Sequence, residues 1–389
     1  MVRLGDIVEQ IRGVSYKPDD ISDILDDNSV ILLRANNIQD GKIVLDDVVY
    51  VSKKKVNEKQ YLKQGDILVC TSSGSKDLVG KAAYIDEDLP MVFGAFCKVI
   101  RPSVECSEYI GHFFQSPYYR NYISSVSAGA NINNLRNEHI SELNIQIPSL
   151  EEQRKIAAVL DKVTDLIAKR RQQLEKLDLL VKARFVEMFG DPVDNPKQWE
   201  TKGLAELGEC KNGMNFHTED SGIDIHCLGV GDFKDLSYIT DTSMLPMISL
   251  DKMPSNEYLL QNGDIVFVRS NGNKDLVGRS IAVFPDQIPT TFSGFCIRFR
   301  LKSSIVQTDY LLRTLKTDSV RKKMGGRGAN IQNLNQKILS DLQIPIPPLD
   351  LQNQFSAFVE QIEKTKISIK ESLENMETLK KALMQEYFG

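Results

Sequence analysis

Residues 149–190, SLEEQRKIAAVLDKVTDLIAKRRQQLEKLDLLVKARFVEMFG, decide the fold of this chain. From Ile156 onward the apolar residues recur alternately four and three positions apart, which is the heptad pattern of a coiled-coil helix kept for about five heptads. Ser149 with Glu152 predicts the helix start, and Gly190 predicts its end, because glycine adopts the left-handed conformation easily. A helix of about 38 residues spans roughly 55 Å.

A second run near the C-terminus repeats this pattern, with each seam residue 199 positions after its counterpart. Arg170 and Arg184 interrupt the first seam, whereas Lys366 and Lys380 interrupt the second at other positions. Such complementary interruptions favour pairing between the two helices, although many such seams serve dimerisation instead. The predicted seam residues are Ile156, Leu160, Val163, Ile167, Leu174, Leu177 and Val181, with Phe355, Val359, Ile362, Ile369, Leu373, Met376 and Leu383.

Length and composition indicate a protein of two or three domains, since the chain has 389 residues and 41% hydrophobic content. Neither a long apolar run nor a signal-peptide pattern appears, so we expect a cytoplasmic protein with no membrane partner. The six cysteines form no CxxC pair and are expected to be reduced. A net charge of −5 excludes a wholly basic nucleic-acid coat, so DNA binding would depend on local patches.

An internal repeat covers the whole chain. Residues 65–81 (GDILVCTSSGSKDLVGK) match residues 263–279 (GDIVFVRSNGNKDLVGR) at 10 of 17 positions. Phe96-Cys97 recurs as Phe295-Cys296, and GANINNL at 129–135 recurs as GANIQNL at 328–334. The chain therefore contains one module twice.

Short apolar runs bounded by Gly, Asp, Asn and Pro predict strands joined by turns, so the fold class is α+β. The predicted division is a mixed α/β domain at 1–148, a long helix at 149–190, a linker at 191–198, a second domain at 199–346 and a second long helix at 347–389. If the helices pair as an antiparallel coiled coil, the two domains lie at opposite ends of a rod and are related by a pseudo-twofold axis.

The two long helices open with a similar motif, which reads IQIPSLEEQ at 145–153 and IPIPPLDLQ at 344–352. Together with the repeated domains, they resemble the specificity subunit of type I restriction-modification enzymes over essentially the whole chain. The resemblance implies two target-recognition domains that each read one half of a bipartite site in double-stranded DNA. It also implies helices that set the spacing and dock two methyltransferase subunits, with restriction subunits joining through the complex. Adenine methylation and DNA cleavage would then belong to those partners.

The loops 71–77 and 269–275 are the first candidates for DNA contact, because each places short hydrogen-bond donors, glycine and a cation just after a strand. Their shared KDLVG part either contacts the DNA backbone or forms a structural turn, whereas the differing pairs Thr71/Arg269 and Ser73/Asn271 are better specificity candidates. The predicted DNA-binding residues are Arg34, Asn36, Asn37, Thr71, Ser72, Ser73, Ser75, Lys76, Lys81, Asn131, Asn133, Arg269, Ser270, Asn271, Asn273, Lys274, Arg279, Arg321, Lys322, Arg327, Asn330 and Gln332.

Several of these stretches have a second interpretation. The GAN segments either hold phosphates or form Asx turns. The basic clusters 53–55 and 321–323 either contact phosphates or are solvated. Residues 74–81 lack the spacing of a P-loop. The four histidines, His112, His139, His217 and His226, fall in no metal-ligand spacing. His226 and Cys227 could be drawn as a zinc site with His217 and Cys210, but no metal or cofactor is predicted.

The leading hypothesis from the sequence is a non-catalytic DNA-recognition subunit. The alternative is a structural coiled-coil adaptor whose two heads bind proteins without DNA. An enzyme with an unrecognised site is the third hypothesis, and it has the least support, because no NPPY-type methyltransferase motif, helicase motif or repeated acid-base pair is present.

Overall fold

The computed structural model describes residues 1–22, 24–75, 77–126, 133–216, 220–234, 236–324 and 333–389. The chain divides into two compact units. The first unit comprises residues 1–172 and 370–389, and the second unit comprises residues 173–369. Each unit therefore combines one globular part with one segment of each long helix.

Two 40-residue helices dominate the secondary structure, α4 (Leu150–Phe189) and α9 (Leu349–Phe388). The shorter helices are α1 (Ser107–Phe113), α2 (Pro117–Val126), α3 (Asn137–Ser141), α5 (Leu204–Leu207), α6 (Thr308–Leu315), α7 (Asp318–Met324) and α8 (Gln336–Ser340). Pro117 begins α2, where its missing N–H costs no hydrogen bond.

The predicted helix boundaries are confirmed. The Glu152 amide donates to Ser149 Oγ at 3.3 Å, so Ser149 caps α4. Gly190 follows α4 with a φ of 75°, in the left-handed conformation expected after a helix. In both openings a glutamine folds back onto the chain: Gln153 Nε2 donates to the Pro148 carbonyl and Gln352 Nε2 donates to the Pro347 carbonyl, each at 2.8 Å.

Within the first unit, α4 and α9 pack antiparallel. Leu160, near the start of α4, shares a hydrophobic cluster with Met384 and Phe388, near the end of α9. Further along α4, Arg171 Nη2 donates to Glu377 at 2.8 Å.

The same direction holds within the second unit. The rings of Phe185 and Phe355 meet at 5.5 Å between centroids. The interrupting Lys366 is buried and binds Asp178 at 2.5 Å and Glu363 at 2.7 Å. The antiparallel pairing predicted from the seam is thus confirmed inside each unit.

Burial is uneven along the predicted seam. Most seam members on α4 are buried, whereas the four in the C-terminal half of α9 are half-buried. The buried members are Ile156, Leu160, Val163, Ile167, Val181, Phe355, Val359 and Ile362, and the half-buried members are Leu174, Leu177, Ile369, Leu373, Met376 and Leu383.

Two four-stranded sheets form the globular part of the first unit, in the orders β10-β8-β12-β2 and β11-β4-β7-β3, with only β11 and β4 parallel among the described pairs of these sheets. Its strands are β1 (Val2–Arg3), β2 (Val8–Arg12), β3 (Ile21–Ser22), β4 (Ser29–Leu33), β5 (Ile38–Gln39), β6 (Lys42–Ile43), β7 (Val49–Ser52), β8 (Ile67–Cys70), β9 (Ser72–Ser73), β10 (Ala82–Tyr84), β11 (Met91–Phe93), β12 (Cys97–Pro102), β13 (Asn133–Asn134) and β14 (Asn144–Ile145). The short pairs are β1-β14, β5-β6 and β9-β13.

The second unit has a five-stranded sheet, in the order β16-β23-β20-β21-β18, and a three-stranded sheet, in the order β19-β17-β22. Its strands are β15 (Thr201–Gly203), β16 (Gly208–Asn212), β17 (Ile223–Leu228), β18 (Tyr238–Ile239), β19 (Met247–Leu250), β20 (Asp264–Val268), β21 (Ser280–Val283), β22 (Thr290–Phe292), β23 (Cys296–Leu301) and β24 (Gln343–Pro345). As β14 pairs with β1, so β24 pairs with β15.

All six cysteines are free, as expected. No helix in the described part of the chain has the length and apolarity that crossing a bilayer requires.

Candidate nucleic-acid interface

The loop after β8 and the turn before β12 form one surface of the first unit. The amides of Thr71 and Ser72 donate to the Phe96 carbonyl at 2.9 and 3.1 Å. On the other side of the loop, β9 pairs with β13, and the Leu135 amide donates to the Thr71 carbonyl at 2.8 Å. The loop is therefore held between the turn and the segment that follows the first GAN motif.

The second unit repeats this arrangement. The amides of Arg269 and Ser270 donate to the Phe295 carbonyl at 2.8 and 3.3 Å, and the Leu334 amide donates to the Arg269 carbonyl at 2.8 Å. Ser270 also forms a bridge with Asn333. We call residues 71–75 and 269–273 the recognition loops, and residues 94–97 and 293–296 the aromatic turns.

Each aromatic turn is anchored by a backbone segment from the start of its globular part. Val14 pairs with Gly94, and Met214 pairs with Ser293, both in parallel bridges. A Cβ at Gly13 would collide with the Gly94 carbonyl. A Cβ at Gly213 would likewise collide with the Ser293 carbonyl. Glycine is required at both positions because two backbones approach closely there.

A cavity of about 410 Å³ opens beside the recognition loop of the first unit. Its lining includes Tyr16, Arg34, Asn36, Ser73 and Phe96. Arg34 Nη2 donates to Asp47 at 2.9 Å, and Asn36 Nδ2 donates to the same carboxylate at 2.8 Å. Because Asp47 is 72% exposed, these contacts are weak enough for a polyanion to replace them.

Asn37 and Thr71, which were predicted to contact DNA, are instead part of the frame. Asn37 is 1% exposed, and its side chain bonds the Arg34 amide and the carbonyls of Val44 and Asp47. Asp232 accepts from the Gly229 amide in the equivalent turn of the second unit.

Thr71 is 7% exposed and its Oγ1 donates to the Phe96 carbonyl. Because their polar atoms are already bonded inside the fold, we leave Asn37 and Thr71 out of the contact surface.

A pair of arginines holds the shared KDLVG turns. Arg120 Nη1 donates to the Val79 carbonyl at 2.9 Å. In the second unit, Arg321 Nη2 donates to the carbonyls of Asp275 and Val277 at 3.0 and 3.2 Å. These contacts favour the structural interpretation of the KDLVG turn, and they give the predicted DNA contact Arg321 a structural role as well.

The remaining predicted residues of the loops face solvent or are half-buried. Ser72, Ser73, Lys81, Arg269, Ser270, Asn271 and Arg279 are half-buried, and Asn36, Ser75, Asn273, Lys274 and Lys322 are exposed. Asn271 Oδ1 accepts from the Asn273 amide, so the loop is locally capped. Arg269 Nη1 donates to the Gly294 carbonyl at 3.2 Å, which places its guanidinium beside the aromatic turn.

A cleft of about 240 Å³ in the second unit gathers four cationic residues, Lys234, Arg279, Lys316 and Arg321. Burial lowers the pKa of Lys316 to about 8. Burial and the neighbouring Arg279 lower the pKa of Arg321. Crowded, partly desolvated cations of this kind suit an anionic ligand such as a phosphate.

The cluster 53–55 is less available. Lys53 Nζ donates to the Asp27 carbonyl, and Lys55 pairs with Asp20 at 3.1 Å. Several other predictions lie outside the described residues, namely Lys76, Asn131, Arg327, Asn330 and Gln332, together with the side chain of Asn133. His217, considered for a metal site, lies outside them too, and the described residues contain no metal-binding cluster of His, Cys, Asp and Glu.

Sequence reasoning gave no role to Phe96, Phe295, Tyr16 or Arg120. The recurrence of Phe-Cys before a strand was visible, but an apolar residue beside a strand is ordinarily expected to be buried. Phe96 is instead 65% exposed and Phe295 is 62% exposed.

One protein-family model matches the chain twice, once for each copy of the repeat. Residues 1–177 and 196–377 both match the type I restriction modification DNA specificity domain. The chain belongs to this family of specificity domains. The specificity subunit of the type I restriction enzyme StySPI from Salmonella potsdam is 34% identical over 395 residues, covering 96% of this chain and 84% of that protein. The EcoKI specificity subunit from Escherichia coli K12 is 35% identical over 282 residues, covering 69% of this chain and 60% of that protein.

Solved structures of the family share the fold. The S subunit of a type I restriction-modification system from M. genitalium aligns with a TM-score of 0.57 at 14% identity, covering 100% of this chain and 95% of its own. A chain from a structure that describes the assembly and conformational transition of a type I restriction-modification system also aligns with a TM-score of 0.57. Its identity is 18%, and the alignment covers 99% of this chain and 96% of that chain. This specificity-domain chain therefore has the family fold along its whole length.

Proposed function

We propose that this chain is the DNA-recognition subunit of a type I restriction-modification complex. The target-recognition domains would be residues 1–148 and 199–346, each reading one half of a split, asymmetric site in double-stranded DNA. One observation carries the proposal: the same frame of recognition loop and aromatic turn occurs once in each unit, with different side chains on the loop. A shared frame with different contacts suits two half-sites of different sequence.

The proposed contacts follow the geometry. In the first unit, Arg34, Asn36, Ser72, Ser73 and Ser75 present donors around the 410 Å³ cavity or at its edge. In the second unit, Arg269, Ser270, Asn271, Asn273 and Lys274 occupy the equivalent loop. Lys81, Arg279 and Lys322 supply charge near these loops, where cations bind phosphates and leave sequence readout to the other side chains.

The long helices are the proposed dock for partner subunits. Apolar side chains remain exposed on them, including Leu179 at 63% and Val186 at 52% in the second unit and Leu379 at 49% in the first unit. Two methyltransferase subunits, one for each copy of the module, match the internal repeat, and restriction subunits would join through them. The methylation and cleavage steps are assigned to these partners.

The test is reconstitution with the neighbouring methyltransferase subunits, followed by mapping of methylated adenines with and without this chain. We expect a split motif that depends on the chain. Replacing residues 269–273 (RSNGN) by TSSGS, the loop of the other unit, is expected to change one half of the motif only.

The matched control is Lys302→Ala, because Lys302 makes an exposed ion pair with Glu209 and follows the end of β23 opposite the aromatic turn. We expect the control to leave the motif unchanged. Methylation that ignores the chain would overturn the proposal and would favour a protein adaptor. A loop exchange without any change in the motif would exclude the loop as the reader.

A further inference from the structure

Phe96 and Phe295 are the most exposed aromatic side chains among the described residues. Phe96 is 65% exposed and Phe295 is 62% exposed, and the next values are 40% for Tyr118 and 36% for Phe216. They are also equivalent residues, each at the tip of the aromatic turn in its own unit. A large apolar side chain held in water twice, at the same place in a repeat, indicates a contact surface.

The turns fix the backbone that carries these rings. In the first unit the Phe96 carbonyl accepts from two amides and the Thr71 hydroxyl, and the Cys97 amide donates to the Gly94 carbonyl at 2.8 Å. In the second unit the Cys296 amide donates to the Ser293 carbonyl at 2.8 Å, and the Phe295 amide donates to Ser293 Oγ at 3.3 Å. A backbone fixed in this way loses little conformational entropy when the ring makes contact.

The surroundings of both rings suit nucleic acid better than an apolar protein surface. Phe96 lines the same cavity as Arg34, Ser72 and Ser73, and Arg34 Nε is buried there without a hydrogen-bond partner among the described residues. Phe295 lies one residue from the carbonyl that Arg269 contacts. An aromatic face among cationic and hydroxyl donors is the usual composition of a surface that stacks on bases and holds phosphates.

Building on the proposed function, we propose that Phe96 and Phe295 stack on a base at their respective half-sites and open the base step there. Apolar side chains that enter a base step unstack it locally and distort the duplex. The backbone carbonyl of each phenylalanine accepts hydrogen bonds from its own recognition loop, so loop readout and base stacking are coupled within one half-site. The stacking contact tolerates many sequences, and the neighbouring loop side chains supply the discrimination.

The experiment uses the reconstituted complex and duplex DNA with 2-aminopurine at each purine position of the mapped site except the methylated adenines, because methyltransferases flip their target base out of the stack. With the unaltered chain, we expect enhanced fluorescence at one position in each half-site, because 2-aminopurine brightens when it is unstacked. Phe96→Ala is expected to abolish the signal in the first half-site only and to weaken binding about tenfold to hundredfold. Phe295→Ala is expected to do the same in the second half-site.

Matched variants separate stacking from general damage. Phe96→Tyr and Phe295→Tyr keep an aromatic face and are expected to retain the signal and the affinity within about threefold. Leu45→Ala removes another exposed apolar side chain, which lines a different cavity and is 47% exposed, and is expected to change neither. Because both phenylalanines are mostly exposed, the alanine variants are expected to keep the thermal unfolding midpoint of the unaltered complex.

The outcomes distinguish the two proposals. If the unaltered complex shows no sequence-specific binding, the proposed function fails and this inference fails with it. If the unaltered complex binds specifically, but the alanine variants keep both affinity and fluorescence, only the stacking role is overturned. Loss of assembly with the methyltransferase subunits in the alanine variants, without DNA, would also overturn it and would assign the rings to a protein interface.

Discussion

The two units share the same frame of recognition loop and aromatic turn, but they differ in the charged side chains that they bury beneath it. Both use a buried aspartate that binds an arginine through two hydrogen bonds: Asp66 with Arg101 at 2.7 and 2.8 Å, and Asp264 with Arg300 at 2.8 and 2.7 Å. At the position of the buried Val99, however, the second unit has Arg298, which is 1% exposed. The first unit in turn buries Lys98, which is 8% exposed, where the second unit has Ile297, so each frame accommodates a further cation beside the shared ion pair at a different position of the strand.

The largest effect is expected from breaking that common ion pair. Asp66→Ala and Asp264→Ala should each destabilise their own unit by about 3–5 kcal/mol, because an arginine is left without its buried partner. The loss is expected to be similar in both units, since each carboxylate also accepts from a turn amide, that of Lys63 or Gln261. Amide hydrogen exchange, followed separately in each unit as the urea concentration rises, measures this loss of stability.

The control is Glu9→Ala, which removes an exposed partner of Lys59 and should leave the free energy of unfolding nearly unchanged. If only one of the two aspartates proved important, the frames would not be energetically equivalent.

A second, smaller effect is expected at the position where the units differ. Arg298 Nε and Nη1 have no hydrogen-bond partner among the described residues, and burial lowers the pKa of this guanidinium. Its nearest acidic group, Glu209, lies at 3.7 Å. Arg298→Val, which restores the residue of the first unit, should therefore stabilise the second unit by about 1–3 kcal/mol, measured as a rise in the urea midpoint.

The reverse exchange tests the same argument. Val99→Arg places an unpaired charge in the first unit and should destabilise it by several kcal/mol, roughly the desolvation cost of one buried ion. A destabilised Arg298→Val variant would mean that the guanidinium has favourable partners beyond the described contacts.

A third difference predicts a pH dependence that Lys316 adds to the stability of the second unit. Lys316 occupies the position of Gln115 and has a pKa lowered to about 8 by burial, against about 10.4 for an unfolded lysine. Between these values the unfolded chain binds more protons, so stability should rise with pH from about 8 to about 10. We expect a gain of about 1–2 kcal/mol over this range, and less in Lys316→Gln.

Comparing the unaltered protein with Lys316→Gln across this pH range removes the contribution of the cysteines and tyrosines, because both proteins contain them. Lys316 Nζ also donates to the Leu236 carbonyl and to Ser237 Oγ at 3.0 Å, contacts that the glutamine amide can partly replace. An equal pH slope in both proteins would show that Lys316 remains charged in the folded state.

The smallest effect is expected on the helices of the first unit. Arg171 pairs with Glu377 and Asp40 but is 49% exposed, so Arg171→Gln should cost no more than about 1 kcal/mol. High salt should reduce this loss further, because exposed charges are screened. Thermal unfolding at low and high salt measures it, and a larger loss that salt does not change would indicate a packing role for the arginine stem.

Sequence patterns predicted the helices well because helix formation is largely local. The cap at Ser149, the end at Gly190 and the periodic seam all depend on residues within a few positions of one another. Strands are less local: the alternating apolar residues of 143–147 predict a strand, but only Asn144–Ile145 pairs, with β1 at the start of the chain. Strand limits depend on a partner that is distant in sequence.

Candidate contact residues were harder to choose, since composition does not show which side a polar group faces. Asn37 and Thr71 have the right chemistry for DNA, yet both are used inside the fold. Phe96 and Phe295 have the composition of core residues, yet both are exposed. For three of these four residues, Thr71, Phe96 and Phe295, the outcome depends on hydrogen bonds between segments about 25 residues apart. The bond from Thr71 Oγ1 to the Phe96 carbonyl is one example.

By itself, the sequence determined the repeated module, the two long helices with their ends, and the family resemblance, because these follow from local periodicity and from similarity between the halves. Only the tertiary structure decided that Asn37 and Thr71 are buried and that the aromatic turns expose their rings. The physical reason is that burial and hydrogen bonding are decided by which distant segments meet, and one-dimensional patterns do not contain that information.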